Sequence, residues 1–349
     1  MKVGVIPETL GEWLLAAAGA VPTPLVDTFQ AMVRARAIMV GTKLGVFEAL
    51  RQGPATAEAV ARQIGTDPRA TEKLLNSLVG AGYLHFRRGG YRLARVARQW
   101  LLQDSPRSLY DSMLYRFLEW EVVEHFEDYV RTGKPLDVHE NLPPDRWDLY
   151  QRGMRSVAGL SAPEVARRLP LADSASRLLD LGGAHGYYSV AFCRRHRQLR
   201  ATVLDLPAAV RCAEPILARE GLGDRIGFRA EDLCTADLGC EEWDVIFASQ
   251  LLHHFAEETN RQLLGRIARA LRPGGLVAIV EVLRPSSPRA AGQTGTLLDL
   301  FFATVSPSGS WSAEELAAWQ RQAGLMPRRL IRLLSLPGAG IQAAVKPEG

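Results

Sequence analysis

Apolar residues recur along this 349-residue chain with two different periods, and the change from one to the other falls near its middle. From Asp27 to Trp100 they return every three or four positions, the spacing of helices with one buried face. Asp27 is placed to cap a helix through Met32, Ala35, Ile38 and Met39. Thr56 opens a second helix that Gly65 ends, and Asp67-Pro68 opens a third with Leu74, Leu75, Leu78 and Val79 on one face. Gly80-Ala-Gly82 stops it. Tyr83 to Phe86 and Tyr91 to Leu93, joined by Arg87-Arg-Gly-Gly90, then read as a two-stranded hairpin. Helix, turn, helix and β-wing together make a winged-helix pattern.

Beyond Ser176 the apolar runs shorten to strand length and alternate with helical stretches. Arg177–Leu181, Ala201–Asp205, Arg225–Arg229, Trp243–Ser249 and Leu276–Glu281 are the expected strands, with helices starting near Tyr187, Pro207 and Glu258 between them. The last of these helices is expected to end at Arg272-Pro-Gly-Gly275. This alternation predicts an α/β domain with a mostly parallel sheet, helices on both faces, and ligand contacts at the carboxyl ends of the strands. The division is therefore a mainly helical segment over 1–160 and the sheet over 161–349. Between them, Tyr115, Phe117, Trp120 and Met154 belong to an aromatic- and Met-rich stretch. It reads either as plain core or as one wall of a pocket for a flat apolar ligand.

Composition narrows the class. With 47% apolar and 23% charged residues the chain is globular, and no apolar run reaches the ~18–20 residues of a membrane span. The net charge of +4, 42 basic minus 38 acidic, is too small to argue for nucleic acid. The helix after Pro68 is poor in the side chains that read base edges, so Arg87, Arg88 and Arg92 on the wing are assigned to ordinary surface. Cys193, Cys212, Cys234 and Cys240 contain no CxxC pair; buried, reduced thiols in a cytoplasmic protein are expected, with no zinc site. Glu8 and Glu12 interrupt what a signal peptide would need, which leaves an N-terminal arm or helix. No His–carboxylate cluster has metal-ligand spacing, so no metal is expected.

The chemistry concentrates after the first sheet strand. Asp180-Leu-Gly182-Gly183-Ala184-His185-Gly186 places glycines where backbone can approach a ligand, ahead of a helix N-terminus with unpaired N–H groups. The dinucleotide spacing G-x-G-x-x-G is absent. Asp180 ends the first strand, suited to a cationic group or to bracing the loop, and Asp205 ends the second, where a carboxylate suits a ribose diol. His253 and His254 follow the fourth strand, at the ligand edge.

These segments, with Leu204-Asp-Leu-Pro207, Glu231-Asp232-Leu233, Leu251-Leu-His-His-Phe255 and Leu271-Arg-Pro-Gly-Gly275, resemble the class I S-adenosylmethionine-dependent methyltransferases. More narrowly, the chain is similar to the dimeric small-molecule O-methyltransferases of plant phenylpropanoid and bacterial polyketide pathways. The resemblance implies a Rossmann-like methyltransferase sheet behind an N-terminal winged-helix-like domain that serves homodimerisation and contributes to the substrate pocket. It implies that Asp180, Gly182, Gly183 and Gly186 hold the methionine moiety, Asp205 and Leu206 the ribose, Asp232 and Leu233 the adenine, with Ser249 a further contact. His253 matches the family's catalytic base and Glu281 the carboxylate that orients it. His254, Phe301 and Phe302 join the pocket candidates. Three positions depart from the pattern: His-Asp-Trp reads His253-His254-Phe255, a third loop glycine is Ala184, and a second acid is Ser310.

A phenol with a pKa near 10 is little ionised at neutral pH, and histidine is the side chain whose ordinary titration lies nearest neutrality. A base at His253 therefore suits methyl transfer to a hydroxyl of an aromatic or polyketide-like molecule. The altered His-His-Phe triplet and the missing acid keep open a C-methyltransferase or tetrapyrrole-modifying enzyme of the same fold. A winged-helix, ligand-sensing regulator is the alternative of another class.

Overall fold

The computed structural model describes residues 4–136, 138, 142–143, 146–284, 286–306 and 308–348. The backbone separates into two compact units, Met1–Phe117 and Leu118–Gly349. The 22-residue helix Trp147–Arg168 runs unbroken through position 160.

In the first unit, helices Ala31–Lys43, Ala57–Ile64 and Pro68–Gly80 precede the strands β1 (Leu84–Arg87) and β2 (Gly90–Leu93), which pair antiparallel. Thr56 and Asp67 accept hydrogen bonds from the backbone N–H of Ala59 and Ala70, as their spacing predicts. Val46, Leu50, Leu75 and Leu78 are fully buried beneath the wing, each contributing roughly 1.5–3 kcal/mol. Asp27 is no cap. It lies inside a π-helical turn, Val26–Gln30, that continues Thr23–Leu25 into Ala31–Lys43. The start signal is Pro24, near the first helical position, where a missing N–H costs nothing. The N-terminal arm is helical over Leu10–Ala17, closed by a capping box between Thr9 and Glu12.

The second unit is built on a sheet of β3 (Arg177–Leu181), β4 (Arg200–Asp205), β5 (Ile226–Ala230), β6 (Trp243–Ser249), β7 (Leu271–Val282), β8 (Met326–Pro327), β9 (Ile331–Arg332) and β10 (Ala339–Val345). Its order is β5-β4-β3-β6-β7-β10-β8, with β9 also on β10. Pairings among β3 to β7 are parallel, and β10 is antiparallel to β7. Side chains alternate between two cores. Leu178, Val203, Phe247 and Val280 face Ala162, Val165 and Phe192 on one side; Leu179, Leu204, Ile246 and Ile279 face Leu264, Ile267 and Trp319 on the other. Helix Glu257–Ala270 ends just ahead of Arg272-Pro-Gly-Gly275, as expected, and those four residues already belong to β7, because Leu271 pairs with Trp243 ahead of a register shift. The chain passes outward from β3 to β5 and returns to β6 on the other side of β3. This reversal opens a crevice at the carboxyl ends of β3 and β6, the position for a ligand in an open α/β sheet.

All four cysteines are free, but only Cys193 is buried; Cys234 and Cys240 are exposed because they lie in the polar turns between β5 and β6 rather than on a core face.

Candidate active site

The glycine loop after β3 is shaped by contacts that leave no room for side chains. A Cβ on Gly183 would stand 2.6 Å from the Asp180 Cγ and 2.8 Å from the Val203 Cγ1; one on Gly182 would meet the Leu251 Cδ1 at 2.6 Å. Gly182 (φ +58°) and Gly186 (φ +69°) occupy the left-handed region that glycine tolerates best. Ala184 sits there too, at φ +47°, a conformation costing a non-glycine residue about 1 kcal/mol. Its N–H donates to the Asp205 Oδ2 at 2.7 Å, which ties the loop to the end of β4. The other oxygen of Asp205 accepts from the Leu206 N–H at 2.7 Å. Burial pushes the half-buried Asp205 carboxyl up to about 6 against the pull of these two amides.

Asp180 is fully enclosed beneath the loop. Ser189 donates to its Oδ2 at 2.7 Å, while Oδ1 has no hydrogen-bond partner. Burial raises this carboxyl to about 7; the Ser189 bond lowers it and the charge of Asp205 raises it further. His185 is also buried, accepting from the Tyr187 N–H at 3.1 Å. Burial, reinforced by Arg155, drives it down to about 3 and keeps it neutral.

Across the crevice, β6 ends at Ser249, whose hydroxyl is buried and completes no hydrogen bond. A left-handed Gln250 (φ +52°) turns the chain into Leu252–His254. There the Glu281 carboxylate, 1% exposed on β7, organises the backbone and one ring. Its Oε1 accepts from the N–H of Leu251 (2.9 Å) and Leu252 (2.7 Å), and its Oε2 lies 2.8 Å from the His253 Nδ1. His253 is 3% exposed. Ser306 donates to its carbonyl at 2.8 Å, and the Trp311 indole and Asn260 amide both donate to the Leu252 carbonyl at 2.9 Å. With Nδ1 on a carboxylate, Nδ1 carries the proton and Nε2 presents a lone pair.

Phe302 packs on the His253 ring at 4.7 Å between centroids, His254 at 4.0 Å, and Phe301 meets Phe302 edge-on at 5.9 Å. Phe117 instead lies under the cations of Arg36 and Lys43 within the first unit, at 4.5 and 4.7 Å from its ring. Tyr115 is buried in that unit; Trp120 and Met154 are half-buried in the second. Asp232 is exposed at the turn after β5, capping the Cys234 N–H at 2.8 Å, and Leu233 is buried in the core. Ser310, where the family's acid is absent, donates to Asp299. That carboxylate, one turn before Phe302, went unremarked in the sequence because nothing in its spacing ties it to Ser310. Among the described residues no group of three His, Cys, Asp or Glu side chains is arranged to hold a metal ion.

An O-methyltransferase domain model matches residues 130–325, and an O-methyltransferase dimerisation domain model matches residues 26–104. The chain is 29% identical to 3-hydroxy-5-methyl-1-naphthoate 3-O-methyltransferase of Streptomyces sahachiroi, over 93% of this chain and 95% of that one. It is 30% identical to acetylserotonin O-methyltransferase of Mus musculus, over 88% and 84%. Its fold is that of human N-acetylserotonin methyltransferase solved in complex with SAM, with a TM-score of 0.82, 21% identity, and 97% and 99% of the two chains covered. The chain belongs to the O-methyltransferase family and is an S-adenosylmethionine-dependent methyltransferase.

Proposed function

We propose that this enzyme methylates a hydroxyl of an aromatic or polyketide-like small molecule, with His253 as general base. The observation that carries this reading is the buried His253–Glu281 pair beside the cofactor loop. Glu281 is fixed by two backbone amides, so it holds the imidazole in one tautomer with Nε2 free of any hydrogen bond among the described residues. The acceptor that the naphthoate relative's name states, an aromatic hydroxyl, supports the substrate class.

The crevice fits the cofactor. The Gly182–Gly183 cradle admits backbone-close approach, helix Tyr187–Arg195 starts beside it, and Asp180 Oδ1 and Ser249 Oγ are buried polar atoms without a hydrogen-bond partner. Asp180, Gly182, Gly183 and Gly186 would hold the methionine end, Asp205 and Leu206 the ribose, Asp232 and Leu233 the adenine, the last through its backbone since its side chain is core. When bound, S-adenosylmethionine supplies a methyl carbon already activated by sulfonium. His253 Nε2 takes the proton of the acceptor hydroxyl as the oxygen attacks, and Glu281 stabilises the imidazolium through Nδ1–H. Such a base contributes typically ~10²–10⁴ in rate; the remainder is alignment. Phe301, Phe302 and His254 wall the approach to His253 with flat surfaces suited to an aromatic ring.

Residues 1–160 would serve homodimerisation and residues 161–349 the cofactor, in a cytoplasmic enzyme. The test is His253→Gln, assayed with a competent acceptor while S-adenosylhomocysteine binding is followed by calorimetry. Lost turnover with unchanged affinity is the expected result. Near-normal turnover, or a product whose new methyl is bonded to carbon by NMR, would overturn the proposal.

A further inference from the structure

The wing of the first unit carries charge that methyl transfer does not use. Arg87, Arg88 and Arg92 line a cavity of about 500 Å³ together with Thr56 and Gly89. That volume falls within the roughly 300–1,000 Å³ of small-molecule sites, and no Asp or Glu lines it. Elsewhere the chain's arginines find carboxylates: Arg51 meets Asp104 at 2.6 Å, Arg229 meets Glu231 at 2.7 Å and Arg272 meets Asp244 at 2.9 Å. Among the described residues the three wing guanidinium groups have neither an ion pair nor a hydrogen bond. The shortage of base-reading side chains that sets DNA aside does not bear on a small anion.

The backbone brings these charges together. Arg87 pairs opposite Gly90 and His85 opposite Arg92, so Arg87 and Arg92 share the outer face of the hairpin, about 7–8 Å apart on the diagonal. Leu84, Tyr91 and Leu93 are buried on the other face. Arg88 and Gly89 form the connecting turn, with φ of +52° and +76°. Glycine or asparagine is favoured at both positions of such a turn, so an arginine at the first strains the backbone. Ala55 bridges to Tyr91, each N–H donating to the other's carbonyl at 3.0 and 2.8 Å, and so brings Thr56 to the cavity. Thr56 caps helix Ala57–Ile64, whose N-terminal partial charge has the same sign as the arginines. The charges on this face repel one another, and no acid of the cavity offsets them.

We propose that the wing cavity binds the diphosphate group of a small molecule, held by Arg87, Arg88 and Arg92. Guanidinium forks match phosphate oxygens two at a time. A single phosphate carries ~1.5–2 negative charges at neutral pH and leaves three cations only partly neutralised, whereas a diphosphate brings the count near balance. A nucleic acid duplex fits less well. The helix Pro68–Gly80 offers only Arg69 and Lys73, with Glu72 between them, to follow a phosphate backbone.

The test is calorimetry on the full chain with inorganic pyrophosphate and with orthophosphate, at low and at raised salt. Pyrophosphate is expected to bind saturably below ~1 mM, more tightly than orthophosphate, and to weaken as salt rises. Arg88→Gly and the double variant Arg87→Gln with Arg92→Gln should each lose roughly 10-fold or more in pyrophosphate affinity, while S-adenosylhomocysteine affinity stays unchanged in both. Glycine suits the turn's own geometry, so Arg88→Gly keeps the fold. Pyrophosphate should raise the melting temperature of the unsubstituted protein and not that of the double variant. Absence of pyrophosphate binding, equal affinity in substituted and unsubstituted proteins, or orthophosphate bound as tightly would overturn the inference. Tighter, salt-sensitive binding of a DNA duplex that the same substitutions abolish would overturn it in favour of nucleic acid.

Discussion

Glu281→Gln separates a base held in one tautomer from a histidine that merely fills space. In the native site Oε1 serves the Leu251 and Leu252 amides at 2.9 and 2.7 Å, and Oε2 faces the His253 Nδ1 at 2.8 Å. A carboxamide keeps the shape but must choose an orientation. With its oxygen toward the two amides, its NH₂ faces Nδ1, which must then accept; the ring proton moves to Nε2, the atom that the proposed base needs free for the substrate's proton. With its NH₂ toward the amides, two buried backbone donors are left unserved at about 1–3 kcal/mol each, so the first orientation wins. The ring cannot turn away, because Phe302 and His254 pack on it. Turnover should therefore fall by roughly 10²–10⁴, equivalent to about 3–5 kcal/mol on the barrier, with the fold intact. The assay is single-turnover transfer to a phenolic acceptor beside calorimetry with S-adenosylhomocysteine, whose affinity should not move. Undiminished transfer in this variant would refute the tautomer argument outright.

Asp180, raised to about 7 by burial, keeps its proton in the folded state well above the pH at which the unfolded chain releases it. Folding stability contributed by this group thus falls as pH rises from about 4 to 7, by roughly 4 kcal/mol in total, and is flat above that. Asp180→Asn should remove the slope, so its melting temperature should gain on the unsubstituted protein between pH 5 and 7; parallel melting curves would contradict this. Gly183→Ala forces a methyl into Asp180 and Val203 and should cost about 1–3 kcal/mol by chemical denaturation, with weaker cofactor binding. Asp205→Ala should weaken S-adenosylhomocysteine in calorimetry by removing the diol acceptor and untying the Ala184 amide; unchanged affinity would show that the ribose lies elsewhere.

Strands β3, β4, β6 and the Leu276–Val282 part of β7 were legible because each is a short apolar run bounded by polar or turn residues, and β5, Ile-Gly-Phe-Arg-Ala, from the alternation around it. What escaped is tertiary in origin. Ala339–Val345 is rich in Ala and Gly and carries no strand alternation, yet it is buried between β7 and the short β8 and β9, where pairing rather than propensity decides. The π turn at Val26–Gln30 leaves no mark in spacing read at 3.6 residues. His253 was visible from its position after a strand, and Glu281 as its partner from family resemblance. The two amides that pin Glu281 are backbone groups, on which sequence is silent. Asp299 went unseen for the same reason: its contact is with Ser310, which lies against it only in space.

The antiparallel insertion of β10 has a consequence for the order in which the enzyme becomes competent during synthesis. Gly340 pairs opposite Glu281, so β7 has its second neighbour only after the ribosome has moved past Val345, some sixty residues downstream of the carboxylate. Until then β7 presents an open edge able to pair with another chain, and the carboxylate that holds the His253 ring lacks its flanking strand. Activity in this architecture is thus acquired late, by closure of the sheet from its far end, and a nascent chain halted before residue 339 carries its binding motifs without the means to use them.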